Sequence, residues 1–179
     1  ITLVPAARTA LQGSAVSLAG EYKQDNAACA LAALDALQAA TGLEVPRDAR
    51  RQGLASARWP GRLEVLNQRP LLVLDGAHNV DSARALAKAL LEYFDYQRLI
   101  LILGFSADKD IRAILRQLLP LAHQVIITRS KHPRAASFEL MEEKISAMGC
   151  KPLSSPSVEE ALWQALRSAQ EGDLICVTG

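Results

Sequence analysis

Hydrophobic runs alternate with amphipathic segments over about the last two thirds of this chain. Runs with few polar interruptions predict strands that are buried on both faces, here at residues 63–66, 71–74, 99–103, 125–128 and 174–177. Hydrophobic residues three or four positions apart predict the helices between them, at residues 80–94, 111–119, 138–148 and 157–169. This order predicts an α/β fold with a Rossmann-like, mostly parallel sheet and helices on both faces.

The first third of the chain has a helical pattern instead. Residues 27–40 are rich in alanine, and their leucines recur at helical spacing. We expect Asn26 to cap this helix and Gly42 to end it. A shorter basic helix is expected through residues 48–52.

These patterns divide the chain into three parts. Residues 1–58 are expected to be a mainly helical piece of a preceding domain, and its first 18 residues are expected to form a loop with short strands at most. The sequence Trp-Pro-Gly-Arg at residues 59–62 predicts a hinge, because a Pro-Gly pair suits a type II turn in which Gly61 has positive φ. Residues 63–179 form the predicted α/β domain.

Polar residues follow the hydrophobic run 71–74 abruptly. Asp75, Gly76, His78 and Asn79 stand where a buried strand would end and a helix would begin. In open α/β sheets ligands bind at this end of the strands, which favours a site. Asn79 and Asp75 could equally serve only as helix caps, and His78 could be a structural hydrogen-bond donor.

Three further polar segments are candidates for ligand contact. Arg62 could hold a phosphate from the hinge or could be an ordinary surface arginine. Residues 106–110 follow the next strand and are expected mainly to cap a helix. The basic loop 128–134 could bind substrate or simply be solvated, and its substrate-binding candidates are Arg129, Ser130 and Arg134.

Composition narrows the class of protein. The chain has 179 residues, half of them hydrophobic, and a net charge of +1, so no basic field favours nucleic acid as a partner. The alanine-rich stretch is short for a membrane span and contains Asp35, so we expect no membrane partner. The three cysteines are far apart in apolar surroundings, which favours small buried side chains and a cytoplasmic setting.

Several common site motifs are not present in the sequence. It has no Gly-x-x-x-x-Gly-Lys-Ser/Thr loop, no Gly-x-Gly-x-x-Gly loop and no Gly-x-Ser-x-Gly elbow. Its three histidines lack metal-site spacing with the cysteines, so no metal ligand is predicted.

Four segments together resemble the folylpolyglutamate synthase family of the Mur ligase superfamily, most closely its bacterial members that are also dihydrofolate synthases. They are Gln-Asp-Asn-Ala-Ala at 24–28, Trp-Pro-Gly-Arg-Leu-Glu at 59–64, Leu-Asp-Gly-Ala-His-Asn at 74–79 and Asp-Lys-Asp at 108–110. The segments occur in the family's order and at similar spacing, and the resemblance covers nearly the whole chain. The resemblance implies an ATP-dependent ligase that adds L-glutamate to a folate or dihydropteroate, with Mg²⁺ accompanying the ATP.

The resemblance also implies roles for individual residues. Asn26, Arg62 and Asp75 match the family's nucleotide contacts, and His78 matches a nearby motif position with a possible catalytic role. An amide, a guanidinium and a carboxylate suit the base, phosphate and ribose of ATP respectively.

Members of this family carry a phosphate loop, magnesium ligands and a carbamylated lysine in an N-terminal region that this sequence does not match. We therefore expect a C-terminal fragment that is inactive alone, from an enzyme that is monomeric at full length. The alternatives are a Mur-type ligase of peptidoglycan precursors and a noncatalytic nucleotide- or amino-acid-binding module, since fold alone does not fix activity.

Overall fold

The computed structural model describes residues 21–179, and their side chains from residue 25 onward. The loop and short strands predicted for residues 1–18 lie outside the described residues. The chain divides into two compact units, one ending at Pro60 and the other beginning at Gly61.

Two helices form the described part of the first unit: α1 (Glu21–Thr41) and α2 (Arg47–Ser56). Asn26 lies inside α1, so the prediction that it caps the helix is wrong. The preceding Glu, Lys and Gln residues are good helix formers, which extends the helix beyond the alanine-rich stretch. Gly42 ends α1 as predicted: its φ is +71°, and its N–H donates to the carbonyl of Gln38 over 2.9 Å. Arg50 links the two helices, since its guanidinium lies 2.6 Å from Asp35.

Six strands and four helices form the second unit. The strands are β1 (Glu64–Gln68), β2 (Leu71–Asp75), β3 (Arg98–Leu103), β4 (Gln124–Ile127), β5 (Leu153–Ser154) and β6 (Asp173–Thr178). The helices are α3 (Val80–Tyr93), α4 (Ile111–Leu118), α5 (Phe138–Ser146) and α6 (Val158–Ser168), and a 3-10 turn follows α4 at Leu119–Leu121.

The sheet is mostly parallel, as predicted. Its order is β1-β2-β6-β3-β4-β5, and every neighbouring pair is parallel except β1 with β2. β1 is an edge strand that is largely exposed, which an antiparallel edge tolerates. β5 was not predicted, because its two residues are exposed and belong to no hydrophobic run.

Helices cover both faces of the sheet, which confirms the predicted fold class. Side chains along β3 alternate between the faces, as strand geometry requires. Leu99, Leu101 and Leu103 pack into the larger core with α3, α4 and α5. Ile100 and Ile102 pack into a smaller core with alanines of α6. Both cores exclude water from β3 and β6, so the polar residues at the strand ends are held on a rigid base.

Candidate functional site

A cleft of about 250 Å³ opens at the carboxyl end of the sheet. Its walls include Asp75 at the end of β2, Gly104 after β3, Thr128 after β4 and Thr178 of β6. The chain runs outward from β2 through β3 and β4, then returns through α6 to insert β6 between β2 and β3. Ligands of open α/β sheets bind at such a reversal of strand order, so the cleft is the candidate site.

The segment that carries Arg62 is fastened to the end of β2. The backbone N–H of Leu63 donates to Oδ2 of Asp75 over 2.8 Å, and the N–H of Gly76 donates to the carbonyl of Gly61 over 2.8 Å. The Arg62 guanidinium lies 3.4 Å from the Gly76 carbonyl. The structure therefore places Arg62 and Asp75 beside each other at the end of β2.

Unusual backbone angles mark the same segment. Gly61 has a φ of +71°, the left-handed value expected for the predicted Pro-Gly turn. Leu63 has a φ of +50°, which is rare for a bulky side chain and is held here by its burial and by Asp75. Such strain costs about 1–3 kcal/mol and is common at ligand sites.

Asn79 and His78 follow β2 on the exposed side. Asn79 caps α3, as predicted: its Oδ1 accepts from the N–H of Ser82 over 2.8 Å, and the Ser82 hydroxyl accepts from the N–H of Asn79 over 3.1 Å. His78 is exposed, with Nδ1 2.8 Å from the Gly76 carbonyl. That contact orients the imidazole, and the side chain is exposed, so a ligand can reach it.

Main-chain hydrogen bonds join the loops after β3 and β4. The N–H of Ala107 donates to the carbonyl of Arg134, and the N–H of Ala136 donates to that of Phe105, both over 2.8 Å. Asp110 caps α4 by accepting from the N–H of Ala113, which confirms the capping role expected for residues 106–110. These two loops therefore form one unit beside the cleft.

The predicted substrate-loop residues are placed differently from one another. All three are exposed on the same loop, and Ser130 lines the cleft whereas Arg129 and Arg134 do not. Arg129 lies close enough to Glu139 to contribute to lowering the pKa of that carboxyl, although bonds at the helix start with its own N–H and with Ser137 are the larger causes.

Thr128 is a candidate that sequence reasoning did not single out. It is 5% exposed and lines the cleft, yet its hydroxyl has no hydrogen-bond partner within the part of the chain that the structure describes. Thr178, equally buried at the end of β6, instead donates to the Ala77 carbonyl over 3.2 Å. The available sequence signal was a threonine at the end of a hydrophobic run.

Three other residues were singled out in the sequence. Cys29 is exposed, so its predicted burial is wrong: α1 turns this position away from the buried Ala27 and Ala28. Cys176 is buried as expected, and burial raises the pKa of its thiol. Asn26 lies exposed on α1 in the first unit.

Among the described residues 21–179, no group of three or more His, Cys, Asp or Glu side chains is arranged to hold a metal ion. None of the described helices is long and apolar enough to cross a membrane.

The fold and the cleft define the class of protein. Residues 61–179 match the family model described as "Mur ligase, glutamate ligase domain". The chain belongs to this Mur ligase family, which confirms the resemblance seen in the sequence.

Relatives within the family are more specific. A dihydrofolate synthase/folylpolyglutamate synthase of Mycobacterium tuberculosis is 38% identical over 125 residues, which are 69% of this chain and 26% of the relative. The solved M. tuberculosis folylpolyglutamate synthase complexed with ADP has a TM-score of 0.78 at 31% identity, over 90% of this chain and 38% of that one. A bifunctional folylpolyglutamate synthase/dihydrofolate synthase solved with Mn, AMPPNP and L-glutamate has a TM-score of 0.80 at 31% identity, over 93% and 38%. The chain thus spans about a quarter to two fifths of these relatives.

Proposed function

We propose that this chain is the glutamate-ligase part of an ATP-dependent ligase that joins L-glutamate to dihydropteroate or to a folylpolyglutamate. The family match and the folylpolyglutamate synthase relatives support this assignment. A structural relative bound to AMPPNP and L-glutamate supports the two substrates. We also propose that the full-length enzyme acts as a monomer in the cytoplasm.

The chemistry of such a ligation has two steps. The carboxylate of the folate or pteroate takes the terminal phosphoryl group of ATP, which gives an acyl phosphate and ADP. The amine of glutamate then attacks the acyl carbon. The bond between this carbon and the bridging phosphate oxygen breaks, phosphate leaves with that oxygen, and the nitrogen loses a proton as the amide forms. Both steps need charge stabilisation at phosphate oxygens and exclusion of water from the acyl phosphate.

Arg62 is the residue that we assign to phosphate. Its guanidinium can make paired, charge-assisted hydrogen bonds to phosphate oxygens, which a lysine could not arrange in the same plane. Asp75 and His78 lie at the same strand end and are assigned to the ribose side of the nucleotide. Asn26 is assigned to the base, since its amide can both donate and accept.

The observation that carries this proposal is the hydrogen bond between the Leu63 N–H and the Asp75 carboxylate. It holds the backbone next to Arg62 at the end of β2, so the backbone that carries the Arg62 side chain has a fixed position beside the cleft. Preorganised cations of this kind lower the cost of binding and stabilising phosphate charge. A surface arginine with no ligand role would not need a strained, buried neighbour.

ATP fits the polar groups of this segment, whereas a divalent cation does not fit the described residues. ATP supplies the phosphoryl group in the proposed reaction. A Mg²⁺ site would require several oxygen ligands, and the described side chains bring no such carboxylate group together. We therefore assign no magnesium ligand among residues 21–179, and we propose that the Mg²⁺ that accompanies ATP is held elsewhere in the full-length enzyme.

A Mur-type ligase of peptidoglycan precursors is the second candidate, because the same family model would describe it. The relatives named above favour folate as the acceptor. A noncatalytic nucleotide- or amino-acid-binding module is the third candidate.

The test is a substrate comparison with the full-length enzyme that contains this chain. We expect ATP-dependent glutamate addition to dihydropteroate or tetrahydrofolate, and none to UDP-linked muramyl substrates. Addition to the muramyl substrates alone would support the second candidate. Nucleotide or amino-acid binding without any ligation would support the third.

A further inference from the structure

Thr128 combines three properties that are seldom found together. Its backbone is fixed, because its N–H donates to the Leu103 carbonyl over 2.8 Å. Its side chain is buried at the wall of the cleft, and its hydroxyl has no protein partner among the described residues. Leaving a buried hydroxyl unpaired is unfavourable, so such a group in a native structure calls for an explanation.

The backbone around Thr128 is closely packed, and no hydrogen bond to a described residue holds its side chain in one rotamer. A Cβ atom built on Gly104 would lie 2.8 Å from the Thr128 carbonyl oxygen, so the two loops already approach as closely as a glycine allows. Rotation about the Cα–Cβ bond of threonine exchanges the hydroxyl and the methyl group between staggered positions. No hydrogen bond to the described part of the chain is lost in that rotation.

The Thr128 hydroxyl lies at a different position in the sheet from the residues that we assign to the nucleotide. Arg62, Asp75 and His78 belong to the end of β2, whereas Thr128 follows β4, three strand positions away in the sheet order. Three spacings amount to about 14 Å across the sheet. A nucleotide bound at β2 therefore leaves the β4 side of the cleft for the other substrate.

The size and chemistry of the cleft favour a small substrate. Its volume is about 250 Å³, below the range of roughly 300–1,000 Å³ that is usual for drug-sized ligands. Hydrophobic residues such as Leu103 and Val158 share its walls with Thr128 and Ser130. The methylene groups of a small amino-acid substrate would pack on Leu103 and Val158. Its carboxylate oxygens would accept hydrogen bonds from the hydroxyls of Thr128 and Ser130.

We infer that the Thr128 hydroxyl donates a hydrogen bond to a carboxylate oxygen of the amino-acid substrate and helps to select L-glutamate. This inference rests on the proposed glutamate ligation and adds a specificity-determining residue to it.

The test compares Thr128→Val with Thr128→Ser in the full-length enzyme. A hydrogen bond to a charged group corresponds to roughly a 10- to 100-fold change in affinity. We therefore expect Thr128→Val to raise KM for L-glutamate by about that factor and to leave KM for ATP unchanged. Thr128→Ser, which keeps the hydroxyl, should restore most of the affinity.

Thermal stability separates this role from a structural one. Thr128→Val removes a hydroxyl that bonds to no described group, so Tm should stay constant or rise. Thr178→Val removes the bond to Ala77 and should lower Tm by a few degrees. Thr41→Val, on α1, serves as an activity control and should leave both KM values unchanged.

Each outcome has a defined meaning. An unchanged KM for glutamate in Thr128→Val, or a rise confined to ATP, would overturn the inference while the ligase assignment stands. A wild-type enzyme that does not add glutamate would overturn the proposed function instead. If Thr128→Val does not fold, Thr128→Ala provides the same comparison against Thr128→Ser.

Discussion

The two ends of the sheet differ in how completely their buried polar groups are hydrogen-bonded. At the amino end, the Asp173 carboxylate is 1% exposed and receives two hydrogen bonds from Arg98 and one from the Gln170 N–H. At the carboxyl end, Thr128 is almost as deeply buried and its hydroxyl has no partner among the described residues.

This difference also appears in backbone geometry. The carboxyl end carries the left-handed Leu63 and a cleft, whereas the amino end closes with paired charges. One end of the sheet therefore pairs its buried charges, whereas the other leaves a buried hydroxyl without a described partner, which we propose binds a ligand.

The largest expected effect tests the functional end. Arg62→Ala in the full-length enzyme should lower the rate of glutamate addition by about 100-fold or more, because a preorganised cation is lost from phosphate. Steady-state kinetics provide the measurement. Arg69→Ala is the matched control, since Arg69 is exposed and pairs with Glu171 instead; equal losses in both variants would contradict the assignment.

The second prediction tests the structural end. Asp173→Ala should destabilise the fold by about 2–3 kcal/mol, because charged hydrogen bonds at a buried carboxylate are lost. Urea unfolding measures this change. Glu171→Ala removes an exposed ion pair beside it and should cost less than about 1 kcal/mol. A large change in the KM values of Asp173→Ala, beside its loss of stability, would mean that the two ends of the sheet are not separate in function.

The third prediction compares two glycines. A Cβ at Gly104 meets the Thr128 backbone at 2.8 Å, whereas a Cβ at Gly172 meets the flexible side chain of Gln97 at 2.9 Å. Gly104→Ala should therefore destabilise the fold by about 1–2 kcal/mol, and Gly172→Ala by less than about 0.5 kcal/mol. Thermal unfolding of both variants checks the order, which would be reversed if the Thr128 loop yields easily.

The smallest effect concerns pH. Hydrogen bonds from Arg98 hold the pKa of Asp173 below its ordinary value of 3.8. A lowered pKa contributes stability that is complete well above 3.8 and is lost as the pH falls through the folded-state pKa. As the pH falls from about 6 to about 4, the contribution of Asp173 to the free energy of unfolding should decrease by at most about 0.3 kcal/mol. It should decrease further below about pH 4.

A comparison with Asp173→Asn isolates the pH-dependent stability that the Asp173 carboxylate contributes. The stability difference between wild type and Asp173→Asn should be constant near neutral pH and should shrink below about pH 4. Chemical unfolding at several pH values gives the measurement. A difference that grows as the pH falls would mean that Arg98 does not favour the ionised form.

Most of the fold could be predicted from the sequence because hydrophobic runs and helical spacing are local signals. Strands β2, β3, β4 and β6 and helices α3 to α6 all correspond to such patterns. The exceptions have local reasons too. The start of α1 depended on residues with good helix propensity before Asn26, and β5 is too short and exposed to leave a hydrophobic run.

The site was less accessible from the sequence. Asp75, His78 and Asn79 could be singled out because they end a hydrophobic run abruptly, and the cap at Asn79 follows from its position. The bond from Leu63 to Asp75 joins residues twelve positions apart through a left-handed backbone, which no local pattern indicates. The Thr128 hydroxyl lacks a partner among residues 21–179 because of its tertiary surroundings, and no local sequence pattern indicates this.

The hydrogen bonds between the loops after β3 and β4 bear on how this domain can change its substrate. The N–H groups of Ala107 and Ala136 each donate to a carbonyl of the opposite loop. Replacing one of the two loops alone would therefore leave main-chain donors and acceptors of the other loop without partners. Evolution of new specificity, or its engineering, would therefore have to exchange both loops as a single cassette.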